Sequence, residues 1–449
     1  MRVGFLTLGC KVNSYETEKM KSQFEEAGHM IVAFDEPADV YVINTCTVTN
    51  IADRKSRKML HRARRRNPEA VIVAAGCYVD SAKKKGEVDD SIDLFISNKE
   101  KELLVEKVTS IYKERSGCRQ QIPVSAFEKE HHMTEGAMAQ RHTRAYLKVQ
   151  DGCNQYCTYC IIPYVRGPLK SKEIGEAVLE ADALAKEGIH EVVVTGIHLS
   201  SYGVDLVDAK HFLELEGKPL LSLLDAISRV EGIERIRLGS LEPRIITEDF
   251  VKKLTEIPKI CPQFHLSLQS GCDDTLRRMN RHYTTKDYLE RLDILRKYFD
   301  HPAITTDIIV GFPQETEEDF EATCAFVKKA AFSRIHVFKY SRRHGTMADA
   351  MEGQVAEEKK AERSDALLGM AAELVREYQD TFLGNEEKVL FEEIVLIDGE
   401  EYLTGYNERY VRIAVPVEDK EQATRFCNTI GSVRVSGRLN GEILLSYFE

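Results

Sequence analysis

The sequence predicts an α/β protein in three parts: an open parallel sheet, a partial (β/α)6 barrel and a small all-β barrel. Three observations support this prediction. Short apolar runs alternate with helical patterns over the first 115 residues, and six further strand-helix units follow residue 141. After about residue 381, polar and apolar residues alternate without a helical period. A chain of 449 residues is also long enough for about three domains.

The first part, residues 1–115, is predicted to be a parallel sheet covered by helices. Ser14 and Thr49 are the expected N-caps of its first two helices. Polar residues 116–140 have no sustained period, and they predict a linker. The predicted strands are 3–8, 30–34, 40–44, 71–75 and 92–96, and the predicted helices are 14–27, 49–66 and 99–112.

The second part, residues 141–370, is predicted to form the open barrel, in which chemistry belongs to the loops at the C-terminal strand ends. The third part, residues 371–449, is predicted to be the small β-barrel, with a charged helix at about 357–381 leading into it. Strands of the open barrel are expected at 145–149, 191–195, 235–239, 264–268, 305–310 and 334–339. Those of the small barrel are expected at 388–395, 402–406, 410–417, 431–438 and 442–447.

Composition and charge exclude several classes of protein. No stretch approaches eighteen uninterrupted apolar residues, so we expect no membrane partner and a cytoplasmic location. The net charge of −11 argues against general nucleic-acid affinity, so any RNA site must be a local basic patch. One such patch, RKSRKMLHRARRR at 54–66, has eight basic residues in thirteen. In the cytosol the eleven cysteines are more often metal-binding or catalytic than disulfide-bonded.

The strongest local motif is DGCNQYCTYC at 151–160, directly after the first strand of the predicted open barrel. Its cysteines, Cys153, Cys157 and Cys160, have C-x3-C-x2-C spacing. Three thiolates can hold three irons of a 4Fe-4S cluster and leave the fourth iron without a protein ligand, where S-adenosylmethionine can bind. A zinc site is the alternative, but structural zinc normally takes four ligands in paired sets. The motif therefore favours an iron-sulfur cluster.

A second set of cysteines is spread widely along the sequence. Cys10, Cys46 and Cys77 each come just after a predicted strand of the first part. In an open parallel sheet the carboxyl ends of the strands share one edge, where ligands bind. A single such cysteine is more simply explained as a small buried residue. Three at equivalent positions predict a second 4Fe-4S cluster.

These motifs together resemble the methylthiotransferase family of radical S-adenosylmethionine enzymes over nearly the whole chain. The segments LGCKVNSYE (8–16), GCNQYCTYCIIPYVRG (152–167) and GYNERYVR (405–412) are similar to its three successive domains. The resemblance implies a central barrel of the radical S-adenosylmethionine type and a C-terminal TRAM domain that holds tRNA. It implies that Cys153, Cys157 and Cys160 bind the cluster that cleaves S-adenosylmethionine. It also implies that Cys10, Cys46 and Cys77 bind the auxiliary cluster.

Within the family, GCKVN at 9–13 resembles the branch that acts on N6-threonylcarbamoyladenosine at tRNA position 37. The isopentenyladenosine branch usually reads GCQMN there, and the branch that modifies a ribosomal-protein aspartate reads GCPKN. The reaction implied is methylthiolation of adenine carbon 2. One S-adenosylmethionine supplies the methyl group and another supplies the radical that removes the hydrogen. The implied partners are a tRNA anticodon stem-loop and a reductase or flavodoxin-type electron donor.

Other candidate residues follow from their positions. Residues at strand ends of the open barrel are candidates for S-adenosylmethionine contacts, namely Gly196, Glu242, Gln269, Asp307 and Gly311. The two glycines are equally well explained as turn formers. The histidines of this part have no metal-site spacing, which favours packing roles. Arg281, Arg342 and Arg343 are weaker candidates for contacts with phosphate or the threonylcarbamoyl carboxylate. The candidates for RNA binding are Arg62, Arg64, Arg65, Arg66, Tyr406 and Arg412. The alternative for the first four is a solvated helix face without a ligand, and the alternative for the tyrosine is a packing role in the barrel core.

Two alternatives remain open at this point. The same chemistry can act on isopentenyladenosine or on a ribosomal-protein aspartate. A protein of another class, an RNA-binding iron-sulfur protein that transfers electrons, would also explain both cysteine sets. Formation of 5′-deoxyadenosine separates the enzyme from the electron carrier.

Overall fold

The computed structural model describes residues 1–86, 89–116, 143–206 and 216–448. The chain divides into two compact units. Unit 1 comprises Met1–Arg141, Cys160–Gly167 and Ser341–Arg343, and unit 2 comprises His142–Tyr159, Pro168–Tyr340 and His344–Glu449. The predicted linker, apart from residue 116, lies outside the described residues. Unit 2 therefore joins the predicted open barrel and small β-barrel, and the predicted domain boundaries stay predictions.

Unit 1 is built on a five-stranded parallel sheet with strand order β2-β1-β3-β4-β5. Its strands are β1 (Arg2–Thr7), β2 (Met30–Val32), β3 (Val40–Thr45), β4 (Val71–Gly76) and β5 (Leu94–Ile96). Its helices are α1 (Lys11–Glu26), α2 (Asn50–Arg66), α3 (Cys77–Lys85), α4 (Leu104–Ser116) and α5 (Ile162–Val165). The central strands β3 and β4 are buried at every position, because helices pack on both faces of the sheet. The predicted parallel α/β sheet is confirmed.

One of the two predicted helix starts was right. Thr49 caps α2, where its Oγ1 accepts a hydrogen bond from the Ala52 N–H at 3.1 Å. The prediction for Ser14 was wrong, because α1 already begins at Lys11 and the Ser14 N–H donates to the Cys10 carbonyl at 3.1 Å. Cys10 therefore occupies the N-cap position of α1. Its thiol lies at the junction of strand and helix.

Unit 2 contains two parallel sheets and a closed antiparallel barrel. The sheets have the strand orders β10-β9-β6 and β11-β12-β13-β14, and β7 pairs with β8. The strands of this part are β6 (Arg144–Lys148), β7 (Gln150–Asp151), β8 (Lys170–Ser171), β9 (Glu191–Thr195), β10 (Arg235–Leu238), β11 (Ser240–Leu241), β12 (Gln263–Leu266), β13 (Ala303–Val310) and β14 (Arg334–Lys339). The helices are α6 (Ile174–Lys186), α7 (Lys218–Ser228), α8 (Glu248–Thr255), α9 (Asp273–Arg278), α10 (Thr285–Tyr298), α11 (Glu317–Ala330), α12 (Met347–Ala350) and α13 (Glu357–Asp380).

Alternate residues of these strands pack against the helices. Leu147, Val192, Ile236, Phe264 and Ile308 all belong to one large hydrophobic core that also contains the apolar sides of the helices. Their sequence neighbours point to the opposite face, since side chains alternate along a strand. That second face carries many polar and charged residues.

The C-terminal part of unit 2 is a closed five-stranded barrel, as the sequence predicted, with strand order β15-β16-β17-β19-β18. Its core contains Val389, Phe391, Leu403, Ile413 and Val433. A short helix between the third and fourth strands was missed. The elements are β15 (Glu386–Ile397), β16 (Glu400–Asn407), β17 (Arg412–Pro416), α14 (Lys420–Phe426), β18 (Ile430–Arg438) and β19 (Ile443–Phe448).

Buried arginines join this barrel to the parallel strands of unit 2. Arg237, only 1% exposed, binds the Glu191 carboxylate through two hydrogen bonds of 2.9 and 3.0 Å. It also donates to the Glu408 carbonyl at 2.9 Å. Arg235 donates to the carbonyls of Tyr406 and Lys388 at 3.0 and 2.9 Å. These charge-assisted hydrogen bonds explain why the two parts form one compact unit.

Asp93 is a second anchor, within unit 1, and it yields a prediction for stability. Its carboxylate accepts hydrogen bonds from Arg64 (2.5 Å), Arg115 (2.6 Å) and the Ile72 N–H (2.7 Å). Burial alone would raise the pKa of Asp93, but these donors outweigh it and the pKa is lowered. We expect Asp93→Asn to reduce the free energy of unfolding at pH 7 by about 1–3 kcal/mol, measured by urea denaturation.

The pH dependence has a definite sign. A carboxyl group with a lowered pKa stabilises the fold above its unfolded pKa of about 3.9, and this contribution is lost as pH falls through the folded value. The difference between wild type and Asp93→Asn should therefore shrink below about pH 4. Asp90→Asn, at an exposed position, is the matched control. A difference that does not change with pH would contradict the assignment.

Candidate metal centres

Cys10, Cys46 and Cys77 follow β1, β3 and β4, which are neighbours in the sheet of unit 1. All three lie at the carboxyl edge of the sheet. Cys46 and Cys77 are buried, while Cys10 is exposed. Burial raises the pKa of the Cys46 thiol to about 11, and the nearby sulfurs of Cys77 and Cys10 add to the rise. The parallel topology thus gathers three cysteines that are far apart in the sequence.

Close backbone packing around these thiols requires glycine at two positions. Gly9 has a φ of +115°, and a Cβ atom there would lie 2.9 Å from the Cβ of Cys46 and 3.2 Å from its sulfur. Gly76 has a φ of +94°, and a Cβ there would lie 2.7 Å from Asn44 Oδ1. Each glycine directly precedes a cysteine of the set. The two residues allow the strand-end loops to approach each other.

Asparagine side chains hold these loops and contact the sulfurs. Asn13 Nδ2 donates to the carbonyls of Leu8 and Thr45 at 2.8 and 3.0 Å, which ties the ends of β1 and β3 together. The Cys10 thiol lies 3.7 Å from Asn13 Oδ1, and Asn98 Nδ2 lies 3.7 Å from Cys77 Sγ. Polar contacts to the sulfur are typical of the surroundings of iron-sulfur clusters.

A buried charge network lies next to this site. Arg166 donates to Glu16 Oε1 and to Asn13 Oδ1, both at 2.9 Å. Lys101 forms an ion pair with the same Glu16 carboxylate and donates to Asn44 Oδ1 at 3.3 Å. The side chains of Arg166, Glu16 and Lys101 are at most 10% exposed. Arg166 and Lys101 therefore share the Glu16 carboxylate, and they place positive charge next to the set of thiols, which suits an anionic thiolate cluster.

Sequence analysis did not single out Arg166 and Lys101 of this network, nor Asn98, which contacts Cys77. Arg166 lies in the segment Cys160–Gly167, which belongs to unit 1 although its neighbours in sequence belong to unit 2. Asn98 Nδ2 also lies 3.5 Å from the Val165 carbonyl of this segment. The chain that follows the last cysteine of the C-x3-C-x2-C motif is therefore packed in the unit that contains Cys10, Cys46 and Cys77.

The first two cysteines of the motif lie in unit 2, in the loop after β7. Thr158 fixes this loop through its N–H, which donates to the Met279 carbonyl, and through its Oγ1, which donates to the Arg278 carbonyl. Asn280 Nδ2 donates to the Tyr156 carbonyl at 3.2 Å. Burial raises the pKa of the Cys153 thiol to about 11. The residues that follow α9 thus hold the cysteine loop at the ends of the parallel strands.

Arg281 makes the contact in this loop that bears most directly on the cysteines. Its guanidinium donates to Cys157 Sγ at 3.2 Å and to the Tyr283 hydroxyl at 3.0 Å. Within the described parts of the chain no carboxylate forms an ion pair with Arg281, and Glu242 is engaged by Arg244 at 2.8 Å. A guanidinium that donates to sulfur is a contact that would compensate the negative charge of a metal-bound cysteine. Sequence analysis had considered Arg281 for phosphate or carboxylate contacts.

Among the residues predicted to contact S-adenosylmethionine, the strand-end position is right for Gly196, Glu242 and Gly311, and Gln269 lies three residues beyond β12. It was wrong for Asp307, which lies within β13. Glu242 is buried and binds Arg244, and Gln269 is a buried residue with a φ of +72° whose N–H donates to the Asp307 carbonyl. Gly196 packs on Gln150, where a Cβ would lie 2.7 Å from Oε1. Gly311 has a φ of +71°, and a Cβ there would lie 2.3 Å from Lys360 Cγ. Close packing alone thus explains both glycines.

The basic patch of α2 is partly used by unit 1 itself. Arg64 binds Asp93, and Arg66 binds the Phe34 carbonyl and Asp35. Arg62 also binds Asp35, at 2.9 Å. Arg65 is exposed and, among the described residues, has no hydrogen-bond or ion-pair partner. Fewer basic side chains of α2 are therefore available to an RNA than the sequence suggested.

Tyr406 and Arg412 of the C-terminal barrel also have partners. The Tyr406 ring stacks on Tyr410 with centroids 4.5 Å apart, and the Arg144 guanidinium lies 4.7 Å from the Tyr406 centroid. Arg412 Nη2 lies 3.4 Å from Thr404 Oγ1. The ring of Tyr406 thus contributes to the contact between the barrel and β6. Arg342 and Arg343 belong to unit 1, where Arg343 donates to the Val48 carbonyl at 3.2 Å.

Two protein-family models match separate regions of the chain. A family described as "Radical SAM superfamily" matches residues 147–327, and one described as "Uncharacterized protein family UPF0004" matches residues 2–97. The chain is 40% identical over 415 residues to "Threonylcarbamoyladenosine tRNA methylthiotransferase MtaB" of Bacillus subtilis (strain 168), covering 92% of this chain and 89% of the relative. A relative of the same name in Aquifex aeolicus (strain VF5) is 37% identical, with 92% and 98% covered.

The chain belongs to the methylthiotransferase family of radical S-adenosylmethionine enzymes. The family also includes "tRNA-2-methylthio-N(6)-dimethylallyladenosine synthase" of Caldicellulosiruptor saccharolyticus (strain ATCC 43494 / DSM 8903 / Tp8T 6331). That relative is 34% identical to this methylthiotransferase over 399 residues, covering 86% of this chain and 81% of the relative.

A solved structure has a similar fold. It is described as a radical S-adenosylmethionine methyltransferase, TsrM, from Kitasatospora setae with cobalamin and a 4Fe-4S cluster bound. The TM-score is 0.53 at 15% identity, with 78% of this methylthiotransferase and 77% of that chain covered. At this identity the likeness concerns the fold alone. Among the described helices of the methylthiotransferase, none is long and apolar enough to cross a bilayer.

Proposed function

We propose that this enzyme replaces the hydrogen on carbon 2 of N6-threonylcarbamoyladenosine, at position 37 of tRNA, by a methylthio group. The 40% identity to the Bacillus subtilis threonylcarbamoyladenosine tRNA methylthiotransferase, over 92% of this chain, carries the proposal. The placement of Cys10, Cys46 and Cys77 at one sheet edge supports it, because a second metal group held there would provide a site for sulfur apart from the radical-forming one. The target belongs to the anticodon stem-loop, and we expect a reductase or flavodoxin-type protein as the electron donor.

In this proposal Cys153, Cys157 and Cys160 hold one 4Fe-4S cluster, and Cys10, Cys46 and Cys77 hold the other. With S-adenosylmethionine bound, the first cluster would pass on the electron, received from the electron donor, that cleaves the sulfonium, and the second would hold the sulfur to be transferred. Carbon 2 of adenine has neither an acidic proton nor a leaving group. Radical removal of its hydrogen atom is therefore the accessible route.

The chain's own residues would set the charge and position of these groups. Arg281 would donate to the metal-bound Cys157 sulfur and compensate its negative charge. Arg166 and Lys101 would compensate the thiolates of the auxiliary set, while Asn13 and Asn98 hold the orientation of Cys10 and Cys77. Glu242, Gln269 and Asp307 are the proposed polar contacts of S-adenosylmethionine.

We further propose that the parallel strands of unit 2 form the partial (β/α)6 barrel of a radical S-adenosylmethionine core. The C-terminal barrel would be a TRAM domain, and the enzyme would act in the cytoplasm. The matching radical S-adenosylmethionine family model over residues 147–327 supports the first assignment. The closed five-stranded architecture supports the second.

Dimethylallyladenosine is the second candidate substrate. The 34% identity to the Caldicellulosiruptor saccharolyticus synthase favours it, although the threonylcarbamoyladenosine relatives reach 37% and 40%. Incubation of the reconstituted enzyme with stem-loop RNAs that contain either nucleoside, followed by nucleoside mass spectrometry, decides between them.

The two-cluster assignment predicts the iron content. We expect about eight iron atoms per chain after anaerobic reconstitution, and about four in Cys153→Ala or in Cys10→Ala. Cys10→Ala should still form 5′-deoxyadenosine but no methylthio product, and Cys153→Ala should form neither. Cys324→Ala, which changes a cysteine of α11, should behave as wild type. Four irons in the wild type would rule out the second cluster, and wild type that forms no 5′-deoxyadenosine would favour the electron carrier.

Arg281 provides a test of the charge at Cys157. In the iron-free protein Arg281→Met should change the melting temperature little, because no metal-bound sulfur is then present for Arg281 to compensate. In the reconstituted protein the same change should lower the melting temperature by about 2 °C or more, since the anionic sulfur loses its cation. Arg278→Met, which removes the ion pair with Asp319, should have the same effect in both forms. An equal effect of Arg281→Met in both forms would contradict the assignment.

The exposed face of α2 provides a test of RNA binding. Lys58 and Arg65 are exposed and seven residues apart, so they lie on the same side of the helix. We expect Lys58→Glu/Arg65→Glu to weaken tRNA binding and to reduce the slope of log affinity against log salt by about 1.5. Lys328→Glu/Lys329→Glu on α11 is the control of equal charge change. Equal binding by both double variants would remove α2 from the RNA surface.

A further inference from the structure

The buried charge network of unit 1 includes a carboxylate, Glu16, to which the proposed function gives no role. Arg166 Nη1 donates to Glu16 Oε1 at 2.9 Å, and Lys101 forms an ion pair with Glu16 Oε2. The side chains of all three residues are at most 10% exposed. Water and salt screen charges little at such positions. Each of these charges can therefore act on a neighbouring group.

Asn13 connects the network to the thiol of Cys10. Its Oδ1 accepts a hydrogen bond from Arg166 Nη2 at 2.9 Å, and the Cys10 thiol lies 3.7 Å from the same oxygen. Asn13 is 1% exposed, and its Nδ2 is fixed by the carbonyls of Leu8 and Thr45. A single amide oxygen thus lies between the guanidinium and the sulfur, and the strand ends hold that oxygen in place.

The other two cysteines of the set are also close to the cations of the network. Burial raises the pKa of the Cys46 thiol to about 11, and the positive charge of Arg166 opposes this rise. Burial lowers the pKa of the Lys101 ammonium, and the Cys77 sulfur is among the groups that oppose this fall. Arg166 and Lys101 therefore lie near enough to two buried sulfurs for their charges to act on them.

A buried amide of β3 keeps the network in place. Asn44 Oδ1 accepts from Lys101 at 3.3 Å, and Asn44 Nδ2 donates to the Asn13 carbonyl at 2.9 Å and to Thr17 Oγ1 at 3.1 Å. Charges held by such contacts do not turn toward solvent when the charge of a neighbouring group changes. Their effect on that group is therefore preorganised.

A metal centre held by Cys10, Cys46 and Cys77 gains one negative charge when it accepts one electron. A nearby cation favours the reduced form of such a centre, and a nearby anion favours the oxidised form. Local charge is one of the factors that set the reduction potentials of iron-sulfur clusters. In a chain with two clusters, the relative potentials decide which of them takes up the electron that the donor supplies.

We infer that Glu16 and Arg166 set the reduction potential of the auxiliary cluster in opposite directions, an inference that rests on the proposed function. Arg166 favours the reduced cluster, and Glu16 favours the oxidised one. Glu16 thereby limits the effect of the two cations that it binds, so that the auxiliary cluster competes less for the donor's electron. Arg166 follows Cys160 by six residues, so the segment that leaves one cluster supplies a charge to the other.

The test measures the auxiliary cluster alone, in full-length Cys153→Ala protein reconstituted to about four iron atoms. Redox titration followed by electron paramagnetic resonance gives the midpoint potential of the cluster. Glu16→Gln and Arg166→Met each remove one charge in this parent, the double variant removes both, and Arg166→Lys keeps the positive charge. Glu18→Gln and Lys21→Met are the matched controls, because they remove the charges of an exposed ion pair on the same helix, α1.

We expect Arg166→Met to make reduction of the cluster at least tenfold less favourable, which for one electron is a potential lower by about 59 mV. Glu16→Gln should raise the potential by a similar amount. The double variant should lie close to the parent, because the two effects cancel, and Arg166→Lys should also stay close to it. The controls should change the equilibrium by less than about threefold, since solvent and salt screen exposed charges.

A purely structural network would change the melting temperature without opposite shifts of the potential. Shifts of the same sign in Glu16→Gln and Arg166→Met, or shifts no larger than those of the controls, would overturn the inference, while four irons in the parent uphold the second cluster. If Arg166→Met does not fold, Glu16→Gln decides, because it preserves the shape of the side chain and its potential must rise.

The iron content separates the remaining outcomes. Loss of iron from Glu16→Gln, with four irons retained in the Cys153→Ala parent, would make the network a requirement for cluster binding and overturn the inference. Absence of iron from the parent itself would overturn both the second cluster of the proposed function and the inference that rests on it.

Discussion

In a parallel sheet every strand ends at the same edge, and in unit 1 that edge carries Cys10, Cys46 and Cys77. Strands β1, β3 and β4 are neighbours, so thiols more than thirty residues apart in sequence become neighbours in space. Gly9 and Gly76 let the strand-end loops approach, and Asn13 ties two of them together. The candidate metal centre thus depends on strand order and register.

Charge provides an independent indication of what the cysteines bind. Burying a cation is costly unless an anion accompanies it. Arg166 and Lys101 share Glu16 next to one set of thiols, and Arg281 donates to Cys157 in the other. Neutral thiols would leave these cations poorly compensated, whereas metal-bound thiolates would compensate them. Each set of cysteines therefore has a neighbouring cation that would compensate metal-bound sulfur, whereas burial alone raises the pKa of the Cys46 and Cys153 thiols.

The aromatic and basic residues of the C-terminal part illustrate how tertiary packing changes the meaning of a motif. Tyr406, Tyr410 and Arg144 form a stack inside unit 2, and Arg237 reaches the same region from β10. Arg64 and Arg66 likewise bind acceptors within unit 1. A run of basic or aromatic residues predicts a surface that could bind RNA. A side chain of that run is available to RNA only if the fold does not engage it in a contact within the protein.

The sequence by itself determined the elements and the principal cysteines. Apolar runs and helical periods located the long strands and most long helices to within a few residues, because burial and hydrogen bonding within each element are local properties. They missed α3 and several shorter elements, such as α9, α14 and β11. The spacing of Cys153, Cys157 and Cys160 is also a local property, so the sequence alone was enough to predict a 4Fe-4S cluster at these residues. The start of α1 was misplaced because its N-cap is Cys10, a residue type that is not a preferred cap, whereas Ser14 has the side chain of a typical cap but lies within the helix.

Tertiary structure alone decided which distant residues meet. Arg166 joins Asn13 across 153 residues of sequence, Arg281 reaches Cys157 across 124, and His336 faces Asp307 through strand register. It also decided that Cys160–Gly167 belongs with unit 1. No periodicity or spacing encodes such contacts. They arise from the pairing of strands and the burial of charge, which are set by the whole fold.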